Sequence, residues 1–246
     1  MDLTIASWIL LIVVTLFGAV AQSAIGFGFS LMTVPFYLLM LEVRDAVQLG
    51  MILTLVITIT VVAKIHQDIP RQTATNLITG SVVGFPLGLV FFFYASSDLI
   101  KSVVAITILF MLANTVIKAR KSSVLDESRT NGITAGIISG SMVTSIAMAG
   151  PAIAVYMQAL RAGKARARAT MFGVFLFSYP CAILMQAYFN GIGSSGLQAA
   201  MWLLPVALIG TYAGHHLSGL LSEKLFSQLI SLILIVIALY LLFSVF

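Results

Sequence analysis

The 246-residue chain is 60% hydrophobic and only 9% charged, where a soluble domain is about a quarter charged; it cannot cover its surface in water and takes bilayer as its solvent. Its formal charge of +5 comes from 13 Lys and Arg against 8 Asp and Glu, scattered between apolar runs, which fits basic loops under the positive-inside rule and excludes a nucleic-acid-binding face. The single cysteine, Cys181, excludes an internal disulfide and a cysteine metal cluster.

A helix crossing ~30 Å of hydrocarbon needs ~20 apolar residues. No Asp, Glu, Lys or Arg occurs from residue 3 to 41, a run of about 58 Å if it were one helix, so it is expected to fold back. The break falls at Ser23-Ala24-Ile25-Gly26-Phe27-Gly28, with Pro35 further on. Ala19-Val20-Ala21 resembles a signal-peptidase site, but Met1-Asp2 offers no basic lead-in, so the first segment is expected to be retained as a span. Ordinary spans follow at 46–63, 76–94 and 102–117, then a charged linker with Lys118, Arg120, Lys121, Asp126, Glu127 and Arg129.

Residues 130–160 repeat the opening pattern. They would make about 46 Å of helix, too long for one span and too short for two with a turn, and the break is expected at Ala147-Met148-Ala149-Gly150-Pro151. Spans at 169–189 and 197–214 are separated by the turn Asn190-Gly191-Ile192-Gly193-Ser194-Ser195-Gly196, and 225–246 is the last. The chain therefore reads as an all-α integral membrane protein of about ten hydrophobic segments in two repeats, each opening with a broken helical hairpin. The boundaries are 1–118 for the first repeat, 119–130 for a cytoplasmic linker and 131–246 for the second repeat. Arg44-Asp45-Ala46 precedes the third segment as Arg161 to Arg168 precede the eighth, Gly84/Gly88 match Gly210/Gly214, and Ser97-Asp98 match Ser222-Glu223. The offset is about 120 to 126 residues, the pattern of internal repeats in transporters.

Lys64, Arg71, Lys118, Arg120, Lys121, Arg129, Arg161, Lys164, Arg166, Arg168 and Lys224 fall on one side of this scheme, and only Arg44 and Lys101 on the other. The first side is expected to be cytoplasmic and both termini outside. Five segments per half invert the second repeat relative to the first. The second broken pair, by its length, is expected to be a re-entrant hairpin.

Broken helices expose backbone polar groups that lipid cannot satisfy, so they belong where protein or a wet cavity supplies partners. The candidate substrate-binding residues are thus Gln22, Ser23, Gly26, Gly28, Ser30 and Thr33 in the first half and Ser139, Thr144, Ser145, Gly150, Pro151 and Tyr156 in the second. Half-helix N-termini after such breaks direct N–H groups and partial positive charge at an anion. The glycines Gly80/Gly84/Gly88 and Gly132/Gly136/Gly140, at spacing four, read instead as close helix packing. No Asp or Glu lies mid-span, His66, His215 and His216 sit at span ends, and no His/Asp/Glu metal cluster or Ser/His/Asp set is present. A site with donors and no fixed acid suits an anion rather than a cation or a catalytic reaction. The cluster Arg161, Lys164, Arg166 and Arg168 sets topology, with anion gathering at the cytoplasmic mouth as the alternative.

Gly26-Phe27-Gly28-Phe29-Ser30 followed by Pro35 and Arg44-Asp45-Ala46, together with Gly140, Ala147-Met148-Ala149-Gly150-Pro151 and Gly210/Gly214, resembles the sulfite exporter TauE/SafE family. The resemblance spans nearly the whole chain. It departs at Phe29 and Ser30, where the family has a denser glycine run, and at Ala147 and Ala149, where glycines are common. It implies a multi-pass bacterial inner-membrane transporter for a sulfur-containing anion such as sulfite, thiosulfate or an organosulfonate. No cofactor and no enzymatic activity are implied, and self-association into a homo-oligomer stays open. Other readings of the residues are a channel or carrier for another small solute, and a membrane assembly factor without transport activity.

Overall fold

The computed structural model describes residues 4–118 and 125–217, together with Ile235. The expected last segment at 225–246 apart from Ile235, the pair Ser222-Glu223, Lys224, and Arg120 and Lys121 of the charged linker lie outside the described residues. Among those described the chain is helical, with nine α-helices: α1 Ile5–Ile25, α2 Phe29–Met40, α3 Val43–Ile65, α4 Arg71–Tyr94, α5 Ser97–Lys118, α6 Arg129–Ile146, α7 Gly150–Ala159, α8 Lys164–Asn190 and α9 Ser194–Leu217. A short 3-10 turn, His66–Asp68, joins α3 to α4.

Six of these are long and apolar enough to cross a membrane: α1, α3 with its following turn, α4, α5, α8 and α9. The chain is a multi-pass membrane protein. Helices α2 and α7, with 12 and 10 residues, reach only ~18 and ~15 Å, about half of the hydrocarbon thickness. Helix α6 has 18 residues, but Arg129, Asn131 and its serines, threonines and glycines dilute its apolar character. The helices also begin earlier than the apolar runs. Helix α3 takes in Asp45 in its first turn and Lys64 in its last, the placement that suits the helix dipole.

The first break is shorter than the sequence suggested. Helix α1 continues through Ser23 to Ile25, and the turn is Gly26–Gly28, with both glycines left-handed at φ +107° and +116°. Only glycine adopts such φ values without steric cost. The second break is Ala147 to Ala149, and α7 opens on Gly150 with Pro151 next. Ala147 ends α6 in the left-handed region at φ +60°, a conformation that costs a non-glycine residue about 1–2 kcal/mol. Pro35, Pro86, Pro180 and Pro205 sit inside helices and do not end them.

Packing is tightest between α4 and α6. Gly80, Gly84 and Gly88 lie against the carbonyls of Ile133, Ile137 and Ser141, and Gly136 and Gly140 against those of Leu77 and Ser81, so a Cβ at any of them would fall on backbone. Where lipid tails remove any hydrophobic drive for helix association, such contact and interhelical hydrogen bonds hold helices together. Ser81 donates to the Gly136 carbonyl at 3.2 Å, Ser141 to Gly84 at 3.1 Å and Thr144 to Phe85 at 3.0 Å. The expected packing role of these glycines is borne out. On the far side α9 lies along α1, with Gly210 and Gly214 against the carbonyls of Leu16 and Val20. Helices α3 and α8 pack together between these pairs.

Candidate functional site at the meeting of two helix breaks

The two breaks touch. Phe27, between Gly26 and Gly28, packs on Gly150, and a Cβ built on Gly150 would stand 3.0 Å from Phe27 Cβ. Gly50 of α3 completes the contact, close to Val34, Ala147 and Ser30. Around it Ser30 Oγ and Thr54 Oγ1 share a hydrogen bond of 2.9 Å, and the buried Tyr179 of α8 donates its hydroxyl to the Ala147 carbonyl at 3.0 Å.

Each break leaves main-chain carbonyls without helical partners, and side chains from other elements supply them. At the second break Ser139 Oγ donates to the Ala149 carbonyl at 3.0 Å, Tyr179 to Ala147, and Gln186 Nε2 to the Thr144 carbonyl at 2.7 Å. At the first, Arg168 of α8 donates from both Nε and Nη2 to the Ser23 carbonyl, at 3.1 and 2.8 Å. Ser23 Oγ itself donates to the Thr211 carbonyl at 2.9 Å. A cation on the last turn of α1 also meets the negative end of the helix dipole.

The candidate residues separate into groups. Gly26, Gly28, Ser30 and Gly150 lie at or beside the meeting point. Gln22 and Ser23 belong to the last turn of α1, where Gln22 is buried and its Nε2 has no hydrogen-bond partner among the described residues. Thr33 is buried with its methyl facing Gly18. Thr144 and Ser145 use their hydroxyls on carbonyls, Thr144 on Phe85 and Gly140 and Ser145 on Ser141 at 2.7 Å. Ser139 serves the break as described. Pro151 and Tyr156 stand apart and line an apolar groove of about 540 Å³ between α5, α6 and α7.

Three contributors were absent from the sequence-derived set: Arg168, Tyr179 and Gln186. In the sequence Arg168 reads with its neighbours as a topology signal, and nothing local distinguishes it from Arg166. Tyr179 and Gln186 lie in an apolar run where single polar residues read as incidental.

Ser23 and Arg168 also line a pocket with Lys64, Thr60, Thr211 and His215, where α1, α3, α8 and α9 converge. A second, polar pocket of about 390 Å³ lies between the N-termini of α4 and α6, with Arg71, Arg129, Arg166 and Glu127 on its wall. There Arg166 Nη2 bonds both Glu127 oxygens, at 2.6 and 2.7 Å, and Thr73 donates to the same carboxylate. Those bonds hold the Glu127 carboxyl below the usual glutamate range. At the opposite end of the bundle Asp45 is buried against Gly193, with Arg44 Nε 4.0 Å away. Gln48 fixes the α8–α9 turn there, donating to the Gly191 carbonyl at 2.8 Å and accepting from Gly193 N at 3.0 Å.

The sulfite exporter TauE/SafE family model matches residues 10–241. No curated protein and no solved structure matches the chain. The match takes in both breaks, their partners on α8 and every described helix except the start of α1, and on that ground the chain belongs to the sulfite exporter TauE/SafE family.

Proposed function

We propose that the protein is a secondary transporter or facilitator that moves a small sulfur-containing anion, of the sulfite, thiosulfate or organosulfonate kind, across the bacterial inner membrane by alternating access around the two breaks. The observation that carries this reading is the contact of Phe27 with Gly150, which brings two interrupted helices together inside the bundle of a sulfite exporter family member. Interrupted helices within a membrane recur where transporters hold their substrates.

The two halves, 1–118 and 131–246 around the linker 119–130, are inverted repeats in this reading. Reciprocal packing supports it: α1 lies along α9 as α6 lies along α4, and α3 meets α8. Phe27 and Gly150, Gly50 and Gly173, and Asp45 and Arg168 share one offset, inside the range of about 120 to 126 residues expected from sequence. The half-length α2 and α7 are the re-entrant arms. The end carrying Lys64, Arg166 and Arg168 is cytoplasmic by the positive-inside rule, which leaves both termini outside.

Helices α2 and α7 both start at the breaks, so their N-terminal N–H groups and partial positive charge bear on the meeting point. Gln22, Ser30 and Thr33 add neutral polar groups, and together with Ser23, Gly26, Gly28, Ser139, Thr144, Ser145 and Gly150 they form the substrate path. Pro151 and Tyr156 are its outer members, beside the groove. A membrane potential that is negative inside drives anion export with ~2.3 kcal/mol per charge per 100 mV. Purified protein in liposomes, loaded with radiolabelled sulfite, thiosulfate or a small organosulfonate, tests the reading. Saturable efflux of one of them, accelerated by an imposed potential, is expected; folded protein that moves none of the three sinks it.

A further inference from the structure

We propose that the pocket formed by Lys64, Arg168 and His215 is a docking site for a small oxyanion, occupied on the cytoplasmic side before the anion reaches the breaks. This assignment rests on the transport reading for its place in the cycle. Three basic side chains come from three helices, α3, α8 and α9, and among the described residues no acidic one lines the pocket. The second basic pocket differs in this respect, because Glu127 lies within it and is bonded to Arg166.

The geometry of Arg168 fits the role. Its Nε and Nη2 are held by the Ser23 carbonyl, and its guanidinium lies 5.6 Å from the centre of the Phe172 ring. The group is therefore fixed in orientation, and among the described residues its hydrogen bonds use Nε and Nη2 and not Nη1. The space open to water-sized atoms is about 40 Å³; one water needs roughly 10–15 Å³ by that measure, so the pocket takes about three oxygen-sized groups. A small oxyanion fits, and a nucleotide or a peptide does not.

The hydroxyls of the pocket are already committed. Ser23 donates to Thr211, Thr60 to Val56 and Thr211 to Ala207, each to a main-chain carbonyl. Recognition falls to the charged Lys64 and Arg168, which read charge and size and not the pattern of oxygens. The site therefore gathers sulfite, sulfate and thiosulfate with similar strength, and discrimination between them belongs deeper, at the breaks. Because Arg168 also satisfies the end of α1, replacing it risks the fold. Lys64 and His215 are exposed and are the cleaner positions to change.

The experiment is equilibrium binding of radiolabelled sulfite, sulfate and thiosulfate to the full chain in nanodiscs, paired with KM in liposomes. Lys64→Gln and His215→Gln are compared with Arg129→Gln, which lies in the other pocket. Lys64→Gln is expected to weaken all three anions by about fivefold and to raise KM in parallel, with Arg129→Gln unchanged. Wild-type flux with unaltered binding and KM in both Lys64→Gln and His215→Gln overturns the pocket and leaves the transport reading standing. Binding that depends on Lys64 without any flux does the reverse. Absence of binding by the wild-type chain overturns the pocket whatever the flux.

Discussion

Phe27 and Gly150 face each other across the contact between the two helix breaks, with no room for more than a hydrogen on the Gly150 side before Phe27 Cβ is reached. One residue belongs to the turn between α1 and α2, the other opens α7. A chain that places its two interruptions in contact makes each depend on the other's shape, and on side chains of α8 for its unpaired carbonyls.

The two left-handed glycines separate conformational strain from crowding. Gly28 has open space where a Cβ would go, whereas a Cβ on Gly26 would stand 3.0 Å from Arg168 Cα. Gly28→Ala is expected to cost about 1–2 kcal/mol of backbone strain, and Gly26→Ala more, through displacement of α8. Thermal melting of both variants in detergent checks the order; equal losses would mean that α8 yields without cost.

Ala147 carries strain that glycine would remove. Ala147→Gly is expected to raise stability by about 1 kcal/mol, read as a higher melting temperature. A decrease would show that the Ala147 methyl, which lies near Gly50, contributes more by packing than the backbone loses.

Tyr179→Phe removes the donor to the Ala147 carbonyl while keeping the ring. A buried carbonyl left unpaired costs about 1–3 kcal/mol. The melting temperature should fall accordingly, and an unchanged value would indicate that another donor or water takes over.

The α4–α6 seam predicts a sharp contrast. Gly84→Ala drives a methyl onto the Ile137 carbonyl, whereas Gly163 has nothing within 4 Å of a Cβ. Overpacking costs about 1–3 kcal/mol or more, so Gly84→Ala should lower the yield of folded protein, and Gly163→Ala should not.

Much of this architecture is legible in the sequence. Charge-free runs longer than one membrane crossing must break, and Gly26, Gly28 and Gly150-Pro151 mark where. The glycine ladders are equally readable, since spacing four puts them on one helix face. What the sequence does not carry is long-range satisfaction: Arg168 reaches Ser23 from 145 positions away, and Gln186 reaches Thr144 from 42. Pairings of that kind follow from tertiary packing, which no local pattern encodes. The first break is also shorter than the run Ser23–Gly28 suggests. Ser23 and Ile25 stay helical because Arg168 supports the final turn.

Glu127 gives the account a pH signature. Its folded pKa is depressed by Arg166 first and by Thr73, so its contribution is present above the ordinary glutamate pKa and is lost as pH falls through the lower, folded value. The pair is partly exposed, which keeps the effect small. Melting curves from pH 7 downward should show the gap between wild type and Glu127→Gln closing on the acid side, and a gap that widens there would contradict the assignment.

The most direct test of the central claim is a reversible cross-link between the two breaks. Phe27→Cys and Gly150→Cys are combined with Cys181→Ser, since Cys181 is the chain's one native thiol. A Cβ separation near 3.0 Å is about half an ångström short of the disulfide range of about 3.5–4.5 Å, so a small separation of the two breaks lets the bond form. Anion flux in liposomes is then measured for the oxidised and the reduced protein. If the anion passes where the breaks meet, flux stops on oxidation and returns on reduction. Fully cross-linked protein that transports at the reduced rate would place the path elsewhere.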